Sequence, residues 1–234
     1  MEILKSFSQY NQDEFLDTYI FKNFKNGFYV DVGAYDGITF SNTHRFHIFH
    51  NWSGLNVEPL NKAFVKLKKN RHSDINLNIA ITDKKGSEKF IESDEDMLSG
   101  LSSGMVSEHK DRIYKSEKNE KTYEVKTDLL QNILKEHNIS NINLLSIDVE
   151  GNELSVIKSI DFEKISIDVI IFESNDYNKN NTLKIKKILN KYNFFEFKSG
   201  GDTYMINISS QFNIFKVLTL KFILKNLANR IFNL

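Results

Sequence analysis

The segment Asp31-Val-Gly-Ala-Tyr-Asp-Gly37 constrains this chain more than any other. It closes a short apolar run that starts at Phe28, and its two glycines fall where that run ends. Such a run, stopped by small residues, reads as a buried strand entering a tight turn. The rhythm then repeats. Residues 43–49 read as a helix and 54–58 as a second strand ended by Pro59. Asn61 is a candidate N-cap for a helix over 62–69, and 75–81 read as a third strand. This alternation implies a parallel sheet with right-handed crossovers.

Residues 82–127 interrupt the alternation. They hold Gly86, Gly100 and Gly104 among many serines, glutamates and lysines, with short strands expected at 87–91 and 123–126. The intervening polar stretch is long for a compact domain, so it reads as a lid or insertion loop. Met97, Leu98, Leu101 and Met105 are its apolar candidates for covering a ligand, and His109 is its candidate mobile base. Regularity then returns. A helix is expected at 128–137, a strand at 143–149, a helix at 152–160, a strand at 168–172 and a helix at 181–192. Two strands at 194–198 and 203–208 flank Ser199-Gly-Gly-Asp202, a hairpin signal. The expected fold is therefore α/β, a mostly parallel seven-stranded Rossmann-like sheet with an antiparallel edge hairpin and helices on both faces. One domain is expected over 1–211. Residues 212–234 read as a separate amphipathic helix, with Phe215, Leu218 and Phe222 among Lys216, Lys221 and Lys225. That helix either packs on the body or another subunit, or lies on a membrane surface.

The chemistry is carried by acidic residues at strand ends. In open parallel sheets ligands bind at the carboxyl ends of the strands, where the winding reverses. Gly33 and Gly37 would let the backbone approach a ligand closely. Asp31 and Asp36 beside them would repel a pyrophosphate and welcome an ammonium group. The spacing is also not that of a dinucleotide fingerprint. Glu58 ends the second strand about where a ribose anchor is expected, its carboxylate able to accept two hydroxyl hydrogen bonds. Ala80, at the end of the third strand, leaves room for an adenine ring. In Ser146-Ile-Asp-Val-Glu-Gly151, Asp148 and Glu150 alternate out of a strand and are expected on one side. They could orient a substrate, act as base or hold a divalent metal. Glu150 or Glu153 could instead cap the next helix. Glu173 ends the fifth strand and can join the same group. His44, His47 and His50 have a spacing that suits a metal cluster, but histidines on a helix surface are the preferred explanation.

These motifs together resemble the FkbM family of methyltransferases. The matching pieces are Val30 to Gly37, Asn56 to Pro59 with Phe64 and Leu67, Asn78 to Ala80, Ile147 to Glu153, and Ile170 to Glu173. Ser8-Gln-Tyr-Asn-Gln-Asp13 and Phe40-Ser-Asn-Thr43 also fit a branch of it, although the family pattern more often has glycine where this chain has Asn11. The resemblance implies a class I methyltransferase fold and S-adenosylmethionine as methyl donor. It further implies that Gln12, Ala34, Tyr35, Thr39, Asn42, Pro59 and Asp148 join Asp31, Gly33, Asp36, Gly37, Glu58 and Ala80 around the donor. His109, Asp148, Glu150 and Glu173 are then the candidates for the catalytic role. The expected reaction is O-methylation, probing toward a sugar or glycan hydroxyl. The rivals are another small molecule, RNA, or a non-catalytic methyltransferase-like subunit.

Composition narrows the partners. The 31 basic residues balance 31 acidic ones, and no basic stripe marks a surface for long nucleic acids. There is no cysteine, which excludes disulfides, thiolate zinc sites and a cysteine nucleophile. No signal-like or membrane-spanning apolar stretch is seen, and a cytoplasmic location is expected.

Overall fold

A computed structural model describes residues 6–93, 99–104, 121–174, 178–199 and 202–210. The expected base His109 and the expected helix over 212–234 lie outside the described residues, as do Met97, Leu98 and Met105.

Seven strands form the main sheet: β1 (Phe28–Val32), β2 (Ser53–Val57), β3 (Ile75–Leu77), β8 (Asn141–Ile147), β9 (Ser166–Glu173), β10 (Phe194–Ser199) and β11 (Asp202–Asn207). Their order is β10-β11-β9-β8-β1-β2-β3. From β3 across to β9 every pairing is parallel. β11 runs antiparallel to both β9 and β10. The expected hairpin is therefore at the edge, and its second strand, not its first, lies inside the sheet. The chain winds outward from β1 to β3, then returns to the other side of β1 as β8. The winding thus reverses between β1 and β8.

The central strands are buried on both faces, which accounts for their unbroken apolar runs. Period-two alternation splits those runs between two cores. Val30, Val32, Leu145, Ile147, Ile170 and Phe172 face one core. Against them pack Leu130, Ile133 and Leu134 of α4 (Leu130–Glu136), Leu154 and Ile157 of α5 (Glu153–Lys158), and Ile185 and Leu189 of α6 (Lys179–Leu189). Their i, i+3, i+4 spacing is that of a helix face turned to a core. Tyr29, Leu144, Val169 and Ile171 face the other core. There they meet Leu16, Ile20 and Phe21 of a π-helix (Leu16–Phe21) that follows the short α1 (Gln12–Phe15), and Phe46 of α2 (His44–His50). α1 starts behind Asn11, whose φ of 61° is left-handed. That conformation favours glycine and tolerates asparagine better than most residues.

Several expectations are corrected here. Residues 75–81 do not form one strand. Asn78 turns its amide back to donate to the carbonyls of Glu58 (2.7 Å) and Pro59 (3.1 Å), and the chain leaves the main sheet. Ala80 therefore opens a strand in a second sheet, β4 (Ala80–Ile81), instead of ending the third. The two short strands expected within 82–127 are present and belong to that second sheet. β5 (Gly86–Glu92), β6 (Gly100–Leu101) and β7 (Lys121–Asp128) join β4 in the order β4-β7-β5-β6. A third core of Leu60, Ala63, Ala80, Phe90, Leu101 and Val125 joins this sheet to α3 (Asn61–Asn70). Leu101 is thus a core residue, not a free apolar cover. Asn61 is the first residue of α3 and not its cap; the Leu60 N–H at the cap position is taken by Glu58 Oε1 at 2.7 Å.

α2 presents its three histidines to three different surroundings. His44 is buried edge-on to Phe7, His47 Nδ1 is 3.6 Å from Asp74, and His50 Nε2 is 2.8 Å from Asp17, which Arg45 also binds at 2.7 Å. They are neither a metal cluster nor an exposed row. Among the described residues no helix is long and apolar enough to cross a membrane.

Arg71, just after α3, is the largest fully buried side chain. Its Nε donates to the Gly37 carbonyl (2.8 Å), one terminal nitrogen to the Tyr29 hydroxyl (2.5 Å), and the other to Ser41 (3.1 Å) and Thr43 (3.0 Å). Asp74 lies 3.7 Å away as its counter-charge. One guanidinium thus ties the turn after β1 to β1 itself and to the entry of α2. Removing one partner of a buried ion pair strands the other charge. Arg71→Met should therefore lower unfolding free energy by about 3–5 kcal/mol in urea titrations.

Candidate functional site

The site lies where the winding reverses, at the carboxyl ends of β1 and β8. Asp31 is buried on β1, and Thr43 donates to its Oδ2 at 2.7 Å. Burial holds the Asp31 carboxyl above its ordinary pKa, against the Thr43 hydrogen bond and the Arg71 charge. Next comes the turn. Gly33 (φ 86°) and Ala34 both donate to the Val57 carbonyl, at 2.9 and 3.1 Å. A Cβ on Gly33 would stand 1.7 Å from the Asp148 carbonyl oxygen. Gly33 is therefore needed for close approach to the backbone after β8. Tyr35 takes a left-handed φ of 48° and donates its N–H to Glu58 Oε2 at 2.8 Å.

Glu58 is thus gripped by two backbone N–H groups, from Tyr35 and Leu60. It is 6% exposed, and burial pushes its pKa up to about 8 in spite of both donors. Each oxygen keeps a second lone pair for a further donor. Tyr123 of β7 stands near it: burial, then the charges of Glu92 and Glu58, push the phenol up to about 12. Tyr35 and Tyr123 both pack on the core that contains Ala80.

Asp36 is engaged within the turn. Its carboxylate accepts from Ile38 N (2.9 Å), Thr39 N (2.7 Å) and Thr39 Oγ1 (2.8 Å). Partial burial raises its pKa, but these bonds outweigh that and hold it low. Asp36 and Thr39 therefore brace the turn with each other. Asn42 reaches across to Ser146 on β8 (3.3 Å), and its buried Oδ1 has no hydrogen-bond partner among the described residues.

On the other side of the cleft Asp148 continues β8, its N–H donating to the Val32 carbonyl at 2.9 Å. Its side chain is open to solvent yet surrounded by protein, as on the wall of a concavity. That surrounding protein, then the charges of Glu173, Glu153, Asp202 and Asp31, hold its pKa well above the ordinary range. Glu150 does not alternate with it. The strand has ended, and Glu150 sits in a turn with a φ of 52°. Gly151 (φ 107°) donates to Glu153 Oε1 at 3.0 Å and packs so closely on Gly104 that a Cβ would lie 2.3 Å from the Gly104 carbonyl oxygen. The second sheet's last described turn is thus seated on the Asp148 loop. Burial pushes Glu153 up to about 7.

Glu173 joins the cluster as expected, at the end of β9. Its buried Oε2 has no hydrogen-bond partner among the described residues. Across the antiparallel pair stands Asp202, which receives the Gln12 amide at 2.5 Å. Asp202 is raised by burial and by the Glu173 charge, against the Gln12 bond. Sequence reasoning missed Asp202, Tyr123 and Arg71. The register Glu173↔Asp202 follows from the hairpin once its strands are aligned. Arg71 stands in a lysine-rich stretch with nothing local to distinguish it. No lysine or arginine pairs with Asp148, Glu153, Glu173 or Asp202 among the described residues. The expected divalent metal finds no support: no three histidine, aspartate or glutamate side chains converge on a metal position among those residues.

A family profile described as the methyltransferase FkbM domain matches residues 31–196. The chain belongs to the FkbM methyltransferase family. Its main sheet is the mostly parallel, seven-stranded one expected from the sequence. No functionally curated protein matches the sequence. Among solved structures, methyltransferase FkbM from Methylobacillus flagellatus KT is 14% identical with a TM-score of 0.46, over 77% of this chain and 43% of that one. This chain thus spans less than half of the Methylobacillus protein. Aeropyrum pernix fibrillarin, solved with S-adenosylmethionine, is 9% identical with a TM-score of 0.43, over 79% and 68%. Ribosomal protein L11 methylase from Lactobacillus delbrueckii subsp. bulgaricus is 15% identical with a TM-score of 0.39, over 77% and 69%.

The raised carboxyls of this FkbM domain set a sign for stability. The folded protein holds protons on Glu58 and Glu153 that the unfolded chain would release above about pH 4.5. Stability should therefore fall as pH rises from about 4.5 through about 8, and Glu153→Gln should flatten that decline in urea titrations across the range.

Proposed function

We propose that the protein transfers a methyl group from S-adenosylmethionine to a hydroxyl group, and that the acceptor is a sugar or glycan. The observation that carries this reading is the division of the cleft. On one side a turn braced by Arg71 leads to Glu58, whose spare lone pairs suit the two hydroxyls of a ribose. On the other, carboxylates without basic partners surround an open mouth.

The residues present fit the donor. Glu58 would take the ribose diol, Asp148 and Asp31 would face the ammonium group, and the unpartnered Asn42 Oδ1 is a further acceptor in the turn. Tyr35, Tyr123 and Ala80 would flank the adenine. Gln12 holds Asp202 at the far rim. When bound, the donor supplies a methyl group already activated on a sulfonium, so the protein needs chiefly to align an oxygen and exclude water. Glu173 would accept the hydrogen bond, and then the proton, of the acceptor hydroxyl, a role supported by its buried Oε2, which has no hydrogen-bond partner among the described residues. A mouth lined with carboxylates favours neutral polyols and disfavours phosphate backbones, which supports a sugar over RNA.

Calorimetry should show binding of S-adenosylhomocysteine and none of NAD; the reverse would overturn the assignment. Glu58→Ala should weaken S-adenosylhomocysteine roughly tenfold to a hundredfold, through loss of both hydrogen bonds to the ribose. Glu173→Gln should lower turnover about 100-fold to 10,000-fold, the span of general-base catalysis, and leave cofactor affinity nearly unchanged.

A further inference from the structure

Two large aromatic side chains that the core does not use stand on segments that are hydrogen-bonded to this site. Tyr10 is 56% exposed and Phe40 is 49% exposed. They belong to segments far apart in sequence that a parallel bridge between Ser8 and Phe40 brings side by side.

Each segment is tied to the cleft two residues further on. Gln12 accepts the Tyr10 N–H at 2.7 Å and donates to Asp202 at 2.5 Å. Asn42 donates to Ser146 at the end of β8. Each segment also rests on a buried charge. Asp13 is fully buried and accepts from Phe7 N (2.9 Å) and Ser8 Oγ (2.8 Å). Arg71 holds Ser41, next to Phe40. The ledge is therefore rigid, although its upper surface is apolar and wet. Phe40 also adopts a left-handed φ of 53°. A bulky residue is uncommon there, and such conformations persist only where the surroundings enforce them.

We propose that Tyr10 and Phe40 form an aromatic ledge on which a neutral sugar ring of the acceptor stacks. This rests on the reading of the site as a methyltransferase for a sugar hydroxyl. A pyranose presents an apolar face of C–H groups and an edge of hydroxyls. The ledge supplies aromatic surface for the face. The adjoining Asp202 and Glu173 supply acceptors for the hydroxyls, and Glu173 Oε2 has no hydrogen-bond partner among the described residues. A pocket of apolar surface with a few convergent polar groups orients a ligand of that chemistry. Phosphate-bearing surfaces, whether nucleic acid or anionic lipid, would meet unpaired carboxylates instead.

The test uses the full chain, saturated with S-adenosylhomocysteine. Saturation-transfer NMR is recorded with the methyl glycosides of glucose, galactose, mannose and rhamnose, and with polyuridylate as an RNA probe. The wild type should show transfer to at least one glycoside and none to polyuridylate. Tyr10→Ala and Phe40→Ala should each weaken that glycoside about tenfold, as for loss of one aromatic contact, while S-adenosylhomocysteine affinity stays within about twofold. Tyr10→Phe keeps the ring and should behave as wild type. Retained cofactor affinity also reports that the variants are folded. Unchanged glycoside affinity in both alanine variants would overturn the ledge and leave the methyltransferase reading standing. A wild type that binds cofactor but no glycoside, or whose polyuridylate binding depends on these two rings, would overturn the sugar assignment. A wild type that binds neither cofactor nor glycoside would overturn both readings.

Discussion

The buried guanidinium of Arg71 is the contact on which the rest of the site depends. A glycine-containing turn has little side-chain surface with which to hold itself in place. Here its Gly37 carbonyl is held by Arg71, and the same group reaches Tyr29 on β1 and Ser41 and Thr43 before α2. Thr43 passes the link on to Asp31. Burying an arginine is costly unless every donor is used and a counter-charge is near. Asp74 and the four oxygens meet both conditions. The forked, planar shape of the group allows one side chain to fix three segments, which a lysine could not do.

A second constraint is the crowding of acids at the mouth. Asp148, Glu153, Glu173 and Asp202 stand near one another, and no described basic side chain neutralises them. The folded protein tolerates this by holding protons: Glu153 is pushed up to about 7, and Asp148 is raised well above its usual range. Such a cluster lowers stability near neutral pH. It also prepares a surface that attracts cationic or hydroxyl-rich molecules and turns anions away. Stability and site chemistry thus pull in opposite directions at the same residues, as is common where charge is arranged for binding.

The second sheet changes how the segment after β3 is understood. It is anchored at two points that matter for the cleft. Tyr123 stands near Glu58, and Lys62 of α3 binds Glu92 at 2.9 Å. Gly104 then lies against Gly151 and Asn152 at the start of α5. The insertion therefore spans from the Glu58 side of the cleft to the Asp148 side, joining the two banks that the winding of the main sheet keeps apart.

The alternation of apolar runs and helix patterns by itself determined the parallel sheet and its edge hairpin, because burial on both faces imposes long apolar strands that are visible in one dimension. The strand-end positions of Asp31, Glu58, Asp148 and Glu173 were legible for the same reason: each directly follows or ends such a run. Period-two reasoning failed at Glu150 because the strand stops at Ile147, and a left-handed turn carries no trace in alternation. It failed at Ala80 because Asn78 turns the chain through hydrogen bonds to carbonyls twenty residues away. Arg71, Asp202 and Tyr123 were decided only by tertiary structure. Their roles come from partners on segments distant in sequence. What a buried charge or a cleft wall touches depends on three-dimensional packing, and local sequence pattern does not encode it.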